Sequence, residues 1–78
     1  MKRNEILEKL EEIFRDVFDD EEISITEETS AEDIEDWDSL MHISLIMAIE
    51  GNFDTKFAMD EVISFKNVGG IVDALEKR

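Results

Sequence analysis

The chain has 78 residues, with 22 acidic against 8 basic for a formal net charge of −14, and contains neither cysteine nor proline. A chain this short buries only about 60% of its unfolded surface, which limits it to one small core; its 42% apolar residues suffice for that core and are too many for a disordered acidic tail. Its charge repels phosphate backbones and anionic membranes and attracts basic protein surfaces, and without cysteine it can form neither a disulfide nor a thiolate metal site.

One domain spanning residues 1–78 is expected. Met1-Lys2-Arg3 is basic but no apolar segment follows, so no secretory signal is expected. No apolar run approaches the roughly 20 residues of a membrane span. The expected state is a cytoplasmic monomer that binds no nucleic acid.

Asn4 is placed to cap a first helix over about residues 4–18, with Glu5 and Glu8 near its positive end. Ile6, Leu7, Leu10, Ile13, Phe14, Val17 and Phe18 recur at helical spacing on one face. The opposite face is mixed to acidic. That suits a core-packing helix better than a membrane-surface helix, whose polar face is usually basic. Asp19 to Asp38 follows as a long acidic connection, with Ile23 and Ile25 expected as loop residues pinned to the core. Ser30-Ala31-Glu32-Asp33 has capping-box spacing, with Asp in place of Glu or Gln, and predicts one helical turn ending near Ile34. Connections this long between helices are often functional.

From Ser39 to Ile49 there is no charged residue. This stretch predicts a second helix from about Ser39 to Gly51, with Gly51-Asn52 suited to its end. Leu45, Ala48, Ile49 and Phe53 share one side; Leu40, Ile43 and Met47 share another. So small a domain cannot bury both, and one set is expected to form an apolar surface patch of the kind that marks partner sites. A short third helix is predicted at about Met59–Ser64, with Val62, Ile63 and Phe65 supplying its apolar contacts. Asn67 is placed to cap a fourth helix through Leu75, with Val68, Ile71, Val72 and Leu75 facing inward. Gly69 and Gly70, in its first turn, each cost about 1 kcal/mol relative to alanine. Either the helix begins after them or something approaches its backbone closely. The expected fold is all-α: a four-helix bundle of three longer helices and one short one, with a long loop between helices 1 and 2.

Ser39 is the focus of the chemistry. A helix N-terminus offers unpaired N–H groups and partial positive charge, so a phosphate ester there is electrostatically favoured. Serine is also a favoured N-cap, and spacing alone does not separate a modified serine from a capping one. Ser39 and His42, three residues apart, make a poor nucleophile–base pair because such side chains project roughly parallel. A bundle this small also offers little substrate pocket, so the chain is not expected to be an enzyme. His42 is expected to be an exposed residue at a partner surface. Asp36 and Asp38 have the spacing of the first two EF-hand ligands, but Met41 stands where that loop needs glycine and Met47 where it needs glutamate. No dedicated metal site is expected.

Asp38-Ser39-Leu40, followed by Ile43, Leu45-Ile46-Met47-Ala48-Ile49-Glu50 and then Phe53-Asp54-Thr55, resembles the acyl carrier protein family. The motif stands at the start of the second helix behind a long acidic loop, and the similarity extends over essentially the whole chain. The resemblance implies that a phosphopantetheinyl transferase moves 4′-phosphopantetheine from coenzyme A onto Ser39, with Asp38 as motif support. It implies that the arm's thiol carries acyl groups as thioesters between acyl-loading and acyl-processing enzymes with basic docking surfaces. Leu40, Ile43, Met47, Glu50 and Ile63 are the residues expected to meet those partners. A core rich in Ile, Leu and Met could also part to shelter an acyl chain.

The sequence departs from the family pattern in places. Met41, Ser44 and Gly51 occupy positions that are often acidic, Trp37 stands where a small residue is common, and Ala58 where proline is often found. These departures suggest a carrier dedicated to a specialised lipid, polyketide-like or glycan pathway rather than housekeeping fatty-acid synthesis. The alternatives are a D-alanyl or peptidyl carrier with the same fold and arm, or a cofactor-free interaction module docking through helix 2.

Overall fold

The computed structural model describes residues 2–78; Met1, the first residue of the basic amino-terminal tripeptide, lies outside the described residues. Four helices follow in order: α1 (Arg3–Val17), α2 (Ser39–Phe53), α3 (Met59–Ser64) and α4 (Val68–Glu76). The described residues contain no strand; the one bridge joins Ser30 to Asn67. α1 packs against both α2 and α4. Ile6, Leu10 and Phe14 of α1, Leu45 and Ile49 of α2, and Val68, Ile71 and Val72 of α4 are wholly buried between them. No described helix is long and apolar enough to cross a membrane.

α1 starts two residues earlier than a cap at Asn4 would allow. Lys2 precedes the helix in an extended conformation without a side-chain cap, and Asn4 lies inside the first turn. Arg3 anchors this turn instead. Its guanidinium pairs with Glu27 of the loop, with Asp73 of α4 at 2.7 Å and with Glu76 at 2.9 Å. These contacts push the Arg3 pKa further up, with the Glu27 hydrogen bond as the largest cause.

The long connection is held at several points. Ile25 is buried and its N–H donates to Glu11 Oε2 at 3.0 Å, while Arg15 Nε donates to the Ile23 carbonyl at 2.8 Å. The turn expected to end near Ile34 is present as an isolated hydrogen-bonded turn that does not continue as a helix: Asp33 Oδ2 accepts from the Ser30 N–H at 2.9 Å, and the Asp33 N–H returns to Ser30 O at 2.9 Å.

The loop also accounts for the glycine pair. α4 begins at Val68, ahead of both glycines, with Asn67 as its cap: the side chain accepts from the Gly70 N–H. Val68 N–H donates to Thr29 O at 2.8 Å and Gly69 N–H to Glu27 O at 2.7 Å. A Cβ on Gly69 would sit 2.9 Å from that Glu27 oxygen, too close for a side chain. The loop backbone therefore docks against the first turn of α4.

α2 runs two residues past Gly51 and ends in a left-handed Asp54 (φ 51, ψ 52) whose N–H returns to Glu50 O. Aspartate tolerates this conformation better than most residues. The extension carries Phe53 onto the core, with Lys9 Nζ 4.7 Å from its ring centroid. α3 contributes no buried residue. Of its expected apolar contacts, Val62 and Phe65 are half-buried against the core, whereas Ile63 is exposed.

Candidate functional site

The turn from loop to α2 sets the site. Asp38 is extended (φ −112, ψ −173), and its Oδ1 accepts from the Met41 N–H at 2.8 Å. Its carbonyl accepts the first helical bond, from His42 N–H at 2.8 Å. Asp38 is therefore the N-cap and Ser39 the first residue inside the helix. The capping role considered for Ser39 belongs to its neighbour, because the carboxylate one residue earlier reaches the first-turn N–H. Ser39 is exposed and its hydroxyl takes no part in the cap.

An open groove of about 500 Å³ runs beside this hydroxyl, between the start of α2 and α3. Trp37, just ahead of α2, lines it together with His42 and Ile43 of α2, facing Val62 and Ile63 of α3 and the following Phe65, and it reaches Asp38 and Ser39. Among the described residues, Lys66 is the one cationic residue along it.

His42 is not the exposed partner-facing residue that the sequence suggests. It is half-buried, with both ring nitrogens engaged: Trp37 Nε1 donates to Nδ1 at 3.1 Å, and Nε2 lies 3.0 Å from the Val62 carbonyl. An indole N–H can only donate, so Nδ1 must accept and the ring proton sits on Nε2, donating to Val62. Neither nitrogen is left to act as a base toward Ser39. Trp37 itself is buried, edge-on to Phe14 with ring centroids 5.3 Å apart and stacked on His42 at 5.9 Å. The sequence marked Trp37 as unusual; its hydrogen bond to a ring five residues on had no signal beyond that.

The two apolar sides of α2 separate cleanly. Leu45, Ile46 and Ile49 are buried, while Leu40 (74%), Ile43 (57%) and Met47 (67%) remain exposed. Ile63 of α3 is exposed too, as is Met59, which the sequence did not single out. Glu50 is half-buried, and its Oε2 accepts from the Phe57 N–H at 2.8 Å, so one of its oxygens fixes the α2–α3 loop. The acidic residues are spread out: among the described residues no group of three or more His, Cys, Asp or Glu could hold a metal ion.

α3 is fastened at its start. Glu61 Oε1 accepts from the Ala58 N–H at 3.0 Å and from Arg78 at 2.8 Å. The Ala58 N–H first, and Arg78 second, hold the Glu61 carboxyl below its ordinary range. Arg78 also reaches Lys56 O at 3.1 Å and lies 4.7 Å over the Phe57 ring.

Residues 8–75 match the family model described as "Phosphopantetheine attachment site". The chain is also similar to a holo acyl carrier protein from Geobacter metallireducens, whose structure was determined in solution by NMR. The two are 49% identical, over 91% of this chain and 82% of that one, with a TM-score of 0.85. The chain belongs to the phosphopantetheine-binding acyl carrier family. It is a carrier and not a catalyst, and its cofactor is covalently attached 4′-phosphopantetheine. The geometry accommodates such a group. A phosphate ester needs an accessible hydroxyl, and Ser39 supplies one beside the first-turn N–H groups of a 15-residue helix, where anions are favoured.

Proposed function

We propose that Ser39 is the residue that carries the phosphopantetheine arm. The observation behind this is the division of labour at the start of α2: Asp38 performs the capping, which leaves the neighbouring hydroxyl exposed and uncommitted. Asp38 thereby supports the motif by fixing the turn from which Ser39 projects. When attached, the arm supplies the thiol on which acyl groups are carried as thioesters.

Partner enzymes dock on the apolar face formed by Leu40, Ile43, Met47 and Ile63, with Glu50 at its margin. Long-range attraction comes from the net charge of −14, which favours partners with basic docking surfaces, the transferase among them. The outer side of α2 is itself uncharged, with Ser44, Met47 and Gly51 all exposed. A recognition face of that kind supports a carrier dedicated to a specialised lipid, polyketide-like or glycan pathway over one serving many fatty-acid enzymes. The protein acts as a cytoplasmic monomer, with residues 1–78 forming a single carrier domain.

Incubating the purified protein with coenzyme A, magnesium and a broad-specificity transferase, followed by intact-mass measurement, tests the assignment. One phosphopantetheine is expected per chain, with none added to Ser39→Ala. Addition to Ser39→Ala, or fragment masses placing the group on another residue, would overturn it.

A further inference from the structure

We propose that Trp37 and His42 together close the inner end of the groove beside Ser39, so that cargo held there lies in the outer groove between α2 and α3 and a long alkyl chain is denied entry to the core. This rests on Ser39 as the attachment residue and adds a cargo class: short or polar acyl groups in preference to long saturated chains.

Both rings line the groove, and Trp37 also belongs to the core. Its indole packs edge-on to Phe14 at 5.3 Å and tilted to Phe18 at 6.5 Å. A chain passing from the groove toward Phe14 on this side therefore has to displace Trp37, His42 or both. Aliphatic side chains in their place could make way by changing rotamer. These two rings are tied instead. Trp37 Nε1 donates to His42 Nδ1 at 3.1 Å, and His42 Nε2 donates to Val62 O at 3.0 Å, linking the loop, α2 and α3 in one line. Moving either ring aside breaks this line of hydrogen bonds, which is unfavourable unless new partners replace them. It also pulls the indole away from Phe14. Phe14, Leu45 and Ile49, farther in, are wholly buried and offer nothing to stabilise the displaced groups. Trp37 and His42 are thus specificity residues, acting through shape and hydrogen bonding and not through chemistry on the cargo.

The absence of cysteine gives a direct test that needs no transferase. Ser39→Cys places a single thiol at the groove. Alkyl methanethiosulfonates, from methyl to dodecyl, react with it: the thiolate attacks the alkyl-bearing sulfur, the new S–S bond forms and methanesulfinate leaves. Melting temperature and backbone amide chemical shifts are then followed against tail length. In Ser39→Cys the melting temperature is expected to stop rising after the shortest tails, with shifts confined to residues around Ile43, Val62, Ile63 and Phe65. Adding Trp37→Leu or His42→Leu should let it go on rising with tail length and spread the shifts to Phe14 and Leu45. Core shifts that grow with tail length in Ser39→Cys alone would overturn the proposal, whether or not the double variants fold. An identical length profile in a folded double variant would do the same. If Ser39 is not the attachment residue, coenzyme A labelling persists in Ser39→Ala or maps to another residue while this length profile is still read, so the two failures are distinct.

Discussion

α3 and α4 are neighbours in sequence and are held in opposite ways. α4 has nine residues, of which Val68, Ile71, Val72, Ala74 and Leu75 are buried; α3 has six and none is buried. α4 is fixed by apolar burial, at about 1.5–3 kcal/mol for each large aliphatic side chain removed from water. α3 is held by Val62, half-buried at the edge of the core, and by the His42–Val62 hydrogen bond, the Glu61–Ala58 contact and the Arg78–Glu61 pair. Exposed ion pairs typically contribute about 0–1 kcal/mol. The wall of the groove formed by α3 is therefore the more weakly held side of the site, and α4 with the loop docked on it the firmer one. A carrier needs both: a frame that survives many encounters, and a yielding edge beside the residue that is loaded.

The strongest way to break this contrast is in α4. Ile71→Ala is expected to destabilise the fold by about 2–5 kcal/mol, read as a lower denaturant midpoint, and in a domain this small that could abolish folding. A loss of only a few tenths would mean that α4 is not the frame. Asp38→Ala removes the cap on α2 and should cost about 0.5–2 kcal/mol. It should also slow transferase labelling of Ser39, because the turn presenting the hydroxyl is loosened. Stability loss with unchanged labelling would restrict Asp38 to a structural role.

Glu61→Gln sharpens the comparison on the α3 side. The Glu61 carboxyl has a folded pKa below its unfolded value near 4.5, owing first to the Ala58 N–H and then to Arg78. Its contribution is therefore complete above the unfolded value and is lost as pH falls through the folded one. The variant should melt slightly below the parent at neutral pH, and the gap should close in acid below the ordinary glutamate range. A gap that persists there would assign the effect to something other than ionisation. The smallest effects belong to the exposed residues. Ile63→Ala and Met47→Ala should each leave stability within about 0.5 kcal/mol of the parent while weakening partner binding. Unfolding by either would return that residue to the core.

Much of this contrast was legible in the sequence. Helical spacing placed Ile6, Leu10 and Phe14 on one face, and the two apolar sets of α2 signalled that one must remain outside. The position of Ser39 at a helix start followed from where the charged residues stop. What failed to show was tertiary. Asn4 has a capping residue's chemistry but lost the role because Arg3 finds three acidic partners from the loop and α4. Gly51-Asn52 resembled a helix end, yet Phe53 had a place on the core two residues on. His42 seemed a surface residue because nothing local reveals that Trp37 and Val62 O converge on its ring. Gly69 was readable only as a choice between two causes, and Glu27 O decided it.

Trp37 has one more consequence. The chain contains one tryptophan and no tyrosine, so its near-ultraviolet emission reports from a single spot, the indole bonded to His42 at the edge of the groove. Whatever enters that groove, or draws α3 off it, alters the surroundings of the fluorophore. A change in that emission on loading or unloading is thus the expected signal from the unlabelled protein.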